Sequence, residues 1–167
     1  MNELASAHLL RQEYSDAETW LERAASLGDS TALTNLGAIL NEREPARAEG
    51  YLRQAAAAGD PMAMHNLGYM IVDRSRDEAM TWYLKAAQRG YVASMYNLAT
   101  MLESERPVET RRWLLLAARE GDAASMRRLA RMAEDSDPAE AAHWYDQAAE
   151  AERAAAATAS TTAPGGE

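Results

Sequence analysis

The chain has 167 residues, 47% of them apolar and 26% charged, with a net charge of −9. That composition belongs to a folded chain with material for a core, and its acidity disfavours non-specific attraction to nucleic acid or to an anionic membrane. There is no Cys, which excludes disulfides, thiolate metal sites and a cysteine nucleophile, and no Phe, so Ala, Leu, Met, Trp and Tyr must fill the interior.

No segment reaches the ~20 apolar residues of a membrane span. The acidic start Met1-Asn2-Glu3-Leu4 does not read as a secretory signal, so a cytoplasmic protein is expected.

In chain order the elements repeat. Gly28, Gly59, Gly90 and Gly121 lie 31 residues apart, each just after an Ala pair: Ala24-Ala25, Ala55-Ala56, Ala86-Ala87 and Ala117-Ala118. Four residues before each pair stands an aromatic, giving Trp20, Tyr51, Trp82 and Trp113, and then Trp144 before a fifth pair, Ala148-Ala149. Self-similarity of this kind marks a stacked-repeat architecture. The reading is an all-α solenoid of five 31-residue antiparallel helix pairs, with units at 1–28, 29–59, 60–90, 91–121 and 122–152.

Unit 1–28 is degenerate: Ala5 stands where later units have Leu, and Tyr14 stands at a Pro position. An end unit that faces water departs from the repeat in this way.

In the next four units the first helix carries an apolar stripe at helical spacing. The stripe reads Leu33, Leu36, Gly37, Leu40, then Met64, Leu67, Gly68, Ile71, then Met95, Leu98, Ala99, Leu102, and last Met126, Leu129, Ala130, Ala133. Second helices follow the turn positions Pro45, Arg76, Pro107 and Pro138, with Ser75 and Asp137 expected as N-caps. The glycines should close each second helix in the left-handed conformation, and Asp29, Asp60 and Asp122 should cap the next first helix. Gly37, Gly68 and Ala99 are expected to let helix backbones approach, and the aromatics to wedge between neighbouring helices.

At position 152 Glu replaces the glycine, which should release the last helix to run through about Ala157. Residues 153–167 thus read as a helix extension and then a disordered tail from 158.

Asn35-Leu36-Gly37 with Tyr51, Ala55-Ala56 and Gly59, and again Asn66-Leu67-Gly68 with Trp82-Tyr83, Ala86-Ala87 and Gly90, resembles the Sel-one-like repeat family, a relative of tetratricopeptide repeats. The resemblance covers about residues 1–152 and implies a right-handed α-solenoid that serves as a non-catalytic protein-binding scaffold or adaptor. Here the inter-helix loop is short, as in Asn41-Glu42-Arg43-Glu44, where the family usually has a longer Gly-x-Gly-Val-like element.

The resemblance also places the residue before each Leu-Gly towards the concave groove: Asn35, Asn66, Asn97 and Arg128. Beside them stand His65, Tyr96 and Arg127, with Tyr69 and Arg131 one turn further on. The amides either bond neighbouring helices or read a peptide backbone, and His65, Tyr69 and Tyr96 are candidate anchors.

Arg111, Arg112, Arg119, Arg127, Arg128 and Arg131 form the one basic concentration in an acidic chain. It reads either as a carboxylate anchor for an acidic partner segment or as a solvated face with local pairs such as Arg131 with Asp135. Met64, Met95 and Met126 share Leu33's register and read as core.

His8, His65 and His143 fall in different register positions, and no catalytic or phosphate-binding motif is present. No catalytic residue, metal or cofactor is expected. The expected partner is a protein or peptide, and the alternative is a structural subunit that self-associates through its ends or convex face.

Overall fold

The computed structural model describes residues 16–161, and every regular element among them is an α-helix. Helix α1 covers residues 16–26. It is followed by α2 (Ser30–Leu40), α3 (Pro45–Ala57), α4 (Pro61–Ile71), α5 (Arg76–Ala87), α6 (Val92–Leu102), α7 (Pro107–Arg119), α8 (Ala123–Ala133) and α9 (Pro138–Thr161). The readings of Ala5, His8 and Tyr14 lie outside the described residues.

The chain divides into two compact units, the first ending at Tyr91 and the second starting at Val92. In the first, α2 packs on α3, α3 on α4, and α4 on α5, burying Leu36, Leu40, Leu52, Leu67 and Ile71. In the second, α6 packs on α7, α7 on α8, and α8 on α9. Leu114, Met126, Leu129 and Ala148 form its core, with Trp113 and Trp144 packed against them.

Three of the first helices, α2, α4 and α8, start on carboxylates. Asp29 accepts from the N–H groups of Thr31 and Ala32, Asp60 from those of Met62 and Ala63, and Asp122 from that of Ser125. Each bond satisfies a donor that the first helical turn leaves open, and the negative charge suits the helix N-terminus. Asp60 also reaches across the repeat, because Thr34 Oγ1 donates to its second oxygen at 2.5 Å. The second helices are started differently. Proline opens α3 and α7 with no side-chain cap, and Asp137 accepts from the Glu140 N–H at 3.0 Å. Ser75 holds the cap position of α5 in extended backbone but makes no cap bond, contrary to its expected role.

Each second helix before the last closes on its glycine, and at Gly90 φ is +84°. Glu152 provides no such corner, and α9 continues to Thr161, four residues beyond the expected end at Ala157. Ala154 to Ala157 are strong helix formers, which favours propagation.

Three packing expectations change. Gly37 and Gly68 each receive a side chain rather than a bare backbone: a Cβ on Gly37 would sit 2.4 Å from Leu52 Cγ, and one on Gly68 3.0 Å from the Tyr83 ring. Tyr51, Trp82, Trp113 and Trp144 are half-buried, but Trp20 is 67% exposed. Thr34 is buried beside a half-buried Leu33, because its hydroxyl is satisfied by Asp60 and can leave water. Met64, Met95 and Met126 are core residues, as their register implies.

Two glycine substitutions should move stability in opposite directions. Gly90→Ala forces a side chain into the left-handed region and should cost roughly 1–2 kcal/mol. Gly50→Ala, within α3 where a Cβ meets nothing within 4 Å, should stabilise by about 0.8–1 kcal/mol. Urea denaturation followed by circular dichroism measures both.

Candidate functional site

In the first unit the first-helix faces of α2 and α4 meet over a shallow cavity of about 210 Å³. Gly37, Ala38, Asn41, Leu52, Asn66 and Tyr69 line it. The small residues make the hollow: Gly37 bares Leu52, and Ala38 has no reach. Tyr69 stands at its edge, 67% exposed. Asn35 is exposed on α2 and lies outside this cavity.

The amides of Asn35, Asn66 and Asn97 make no hydrogen bond to protein among the described residues, and no buried side-chain polar atom there lacks a partner. These amides therefore meet water. The expectation that they bond neighbouring helices does not hold; Thr34 and Asp60 make the inter-repeat tie from the adjacent register position.

His65 is not an open anchor. It is half-buried against two rings, with centroids 5.5 Å from Tyr83 and 5.0 Å from Tyr91, and burial holds its pKa below the ordinary imidazole value. A neutral ring packs there more cheaply than a charged one.

In the second unit α6 and α8 are clamped by a charged group. The Arg128 guanidinium bonds both oxygens of Glu103, its Nε donating at 3.0 Å, and it lies 5.7 Å from the centre of the Tyr96 ring. Arg128 also donates to the Tyr96 hydroxyl at 3.4 Å. The hydrogen bond from Arg128 holds the Glu103 carboxyl below the usual carboxylate range, and the same bond raises the Arg128 pKa. Arg127 is paired with Glu152. The basic concentration on α8 is thus largely neutralised, and Tyr96 is covered by Arg128.

Arg131 is different. The expected pair with Asp135 is absent, and Arg131 has no ion-pair partner among the described residues. It stands at a second cavity of about 280 Å³ with Tyr96, Ala124, Arg127 and Tyr145. The Tyr145 hydroxyl donates to Glu134 at 2.5 Å, and that bond raises its pKa.

Glu103, Glu134, Tyr145 and Glu152 were missed in the sequence. A signal for two of them exists. Oppositely charged residues 25 apart bridge successive repeats at Arg43–Glu18, Arg47–Glu22, Arg74–Glu49, Arg53–Glu78, Arg128–Glu103 and Arg127–Glu152. Within the first unit this spacing ties α1, α3 and α5 together along the second helices. At Glu49, burial pushes the pKa up, but the bonds from Arg74 and Arg53 outweigh it and leave it lowered.

The helix pairs, their period and these inter-repeat ties point to one family, and the Sel1 repeat pattern matches residues 3–29, 32–60, 61–91, 92–122 and 123–152. The chain belongs to the Sel1 repeat family. Sel1 repeat proteins generally mediate protein–protein interaction and are typically non-catalytic scaffolds.

Among solved structures it is similar to a Sel1 repeat protein from Oxalobacter formigenes, at 27% identity and a TM-score of 0.71 over 80% of this chain and 44% of that one. A protective antigen present in uropathogenic Escherichia coli strains, displaying an SLR fold, shares the fold at 20% identity and a TM-score of 0.72. That match covers 80% of this chain and 33% of the antigen, so the chain spans less than half the length of either relative. MamA shares the fold at 16% identity and a TM-score of 0.63, over 88% of this chain and 93% of MamA. No curated protein matches.

Among the described residues no cluster of three or more His, Asp or Glu could hold a metal, and no helix is long and apolar enough to cross a membrane.

The Arg128–Glu103 clamp should be visible in an acid titration. A carboxyl whose folded pKa is depressed contributes stability above the unfolded value and loses it as pH falls through the folded one. Stability should therefore decline as pH drops below the ordinary value of 4.5, and Glu103→Gln should lower stability at neutral pH and flatten that decline. Urea midpoints across the acid range measure it. The effect is small, because Glu103 is 44% exposed.

Proposed function

We propose that this Sel1 repeat chain is a protein-binding module whose first-helix faces bind an extended segment of a partner. The observation that carries this reading is the set of uncommitted amides. Asn35, Asn66 and Asn97 stand at one register position, facing water and bonded to nothing in the protein. Each amide offers a donor pair and an acceptor, which matches what a peptide backbone presents. A residue kept polar but not used to hold the repeat together is free to serve a partner.

The supporting residues differ in role. Tyr69 is the aromatic anchor beside the Asn66 cavity, with an apolar ring and a polar tip suited to an interface. Arg131 is the cation available for a partner carboxylate, while Arg127 and Arg128 are occupied by Glu152 and Glu103. Tyr96 lines the Arg131 cavity, and His65 packs against Tyr83 and Tyr91. An acidic partner segment would thus be read by one arginine, a narrower role than a basic patch.

Affinity capture from the native host, with cross-linking to map the contact, tests the proposal. Asn66→Ala combined with Tyr69→Ala should weaken partner capture by about tenfold or more, since exposed aromatics at interface centres carry much of the binding energy. Thr81→Ala on the exposed side of α5 should leave capture unchanged. Cross-links confined to the second helices would overturn the assignment.

A further inference from the structure

The repeat makes its exceptions easy to see, and the largest is the outer face of α7. Val108, Arg111, Arg112, Leu115, Leu116 and Arg119 line one shallow cavity of about 420 Å³, with no carboxylate among them. At 100° per residue they fall on one stripe of the helix, opposite the buried Thr110, Leu114 and Ala117. Val108 is 83% exposed. Arg112 and Arg119 have no ion-pair partner among the described residues, and Arg111 alone is tied, to Glu140 of α9.

The scaffold calls for only one of these residues: Leu115 packs in part against the core, and its register partner one repeat earlier is Leu84. One repeat earlier their register positions hold Asp77, Thr81, Leu84, Lys85 and Gln88 for Val108, Arg112, Leu115, Leu116 and Arg119. One repeat later the same five positions hold Ala139, His143, Asp146, Gln147 and Glu150. The stripe is apolar and basic on α7, and small and acidic on α9. Asp146 and Glu150 are exposed and bonded to nothing among the described residues.

These two stripes lie side by side on one outer face of the second unit. The Arg111–Glu140 pair joins the helices, and Trp113 and Trp144 pack on a shared core beneath them. A face with a basic strip next to an acidic strip is complementary to itself under a twofold rotation. Turned over, the α7 of one copy meets the α9 of the other, and the reverse contact forms at the same time.

We propose that the outer face of α7 and α9 is a homodimer interface, in which the arginine stripe of each copy faces the Asp146 and Glu150 stripe of its partner. Val108, Leu115 and Leu116 supply the apolar contact, and the small Ala139 and Ala142 of the partner admit them. The occupant is a second copy rather than an unrelated acidic helix because the matching stripe is already present on the neighbouring helix of the same face. The proposal does not depend on the first-helix binding surface, which lies on other helices.

The test uses the full chain and two charge-reversed variants. One carries Arg112→Glu with Arg119→Glu; the other carries Asp146→Arg with Glu150→Arg. All four positions are exposed, so circular dichroism should show both variants folded.

Light scattering after size exclusion should find the unaltered chain dimeric at micromolar concentration, with association weakening as salt rises. Each variant alone should associate at least about a hundredfold more weakly, because like charges then oppose across both halves of the interface. Mixed in equal amounts, the two variants should form a dimer again, since acidic α7 then meets basic α9 and acidic α9 meets basic α7.

A monomeric unaltered chain overturns the proposal, and would also be the result if this face serves an unrelated acidic protein. A dimer that survives both reversals, or variants that fail to pair on mixing, overturns it as well.

Discussion

Within each compact unit no helix pair buries its apolar stripe alone, and the pair beside it completes the core. That constraint explains the uninterrupted 31-residue period. An insertion within a helix would rotate the residues after it off the packed face, as each added residue turns the stripe by about 100°. The corners are therefore built from parts with little freedom. A positive-φ glycine ends one helix, an aspartate two oxygens wide starts the next, and at Asp60 the same carboxylate also grips the repeat before it.

Small residues act under the same constraint, in a manner more specific than close backbone approach. Gly37 and Leu52, like Gly68 and Tyr83, form a hole and the side chain that fills it. The α2–α4 cavity follows directly, since a side chain on Gly37 would displace Leu52 and close the floor. The hollow proposed to take a partner is thus a by-product of how a helix pair locks. What distinguishes it from ordinary packing is the polar rim set by Asn41, Asn66 and Tyr69.

The helix pairs, the glycine corners and the Asp29, Asp60 and Asp122 caps were legible in the sequence because they rest on local chemistry and a fixed period. Partner choice among charged side chains was harder to read. Arg131 looked suited to Asp135 at helical spacing, yet the arginines of α8 reach along the solenoid, where Glu103 and Glu152 wait 25 residues away. Local spacing misleads when the nearest neighbour in space belongs to another repeat. Burial at Thr34 could not be read for a related reason: only the position of Asp60 reveals that the hydroxyl is satisfied inside. The candidate site was legible as a register position, Asn35, Asn66 and Asn97, but not as uncommitted amides.

The ion pairs spaced 25 residues apart also bear on how identical-looking units avoid mistaking one another during folding. Their polarity is not uniform: acid precedes base in Glu18–Arg43, Glu22–Arg47 and Glu49–Arg74, whereas base precedes acid in Arg53–Glu78 and Arg127–Glu152. A slip by one whole repeat would keep every apolar stripe matched, so hydrophobic contacts alone cannot detect it. The charges can. Such a slip would set Glu22 against Glu78 and Glu49 against Glu105, repulsive contacts in place of attractive ones, while Glu18 would still meet Arg74 and Arg53 would still meet Glu109. Weak as surface ion pairs are for holding a fold together, here the contacts of Glu22 and Glu49 disfavour a slipped stacking that the apolar stripes would accept.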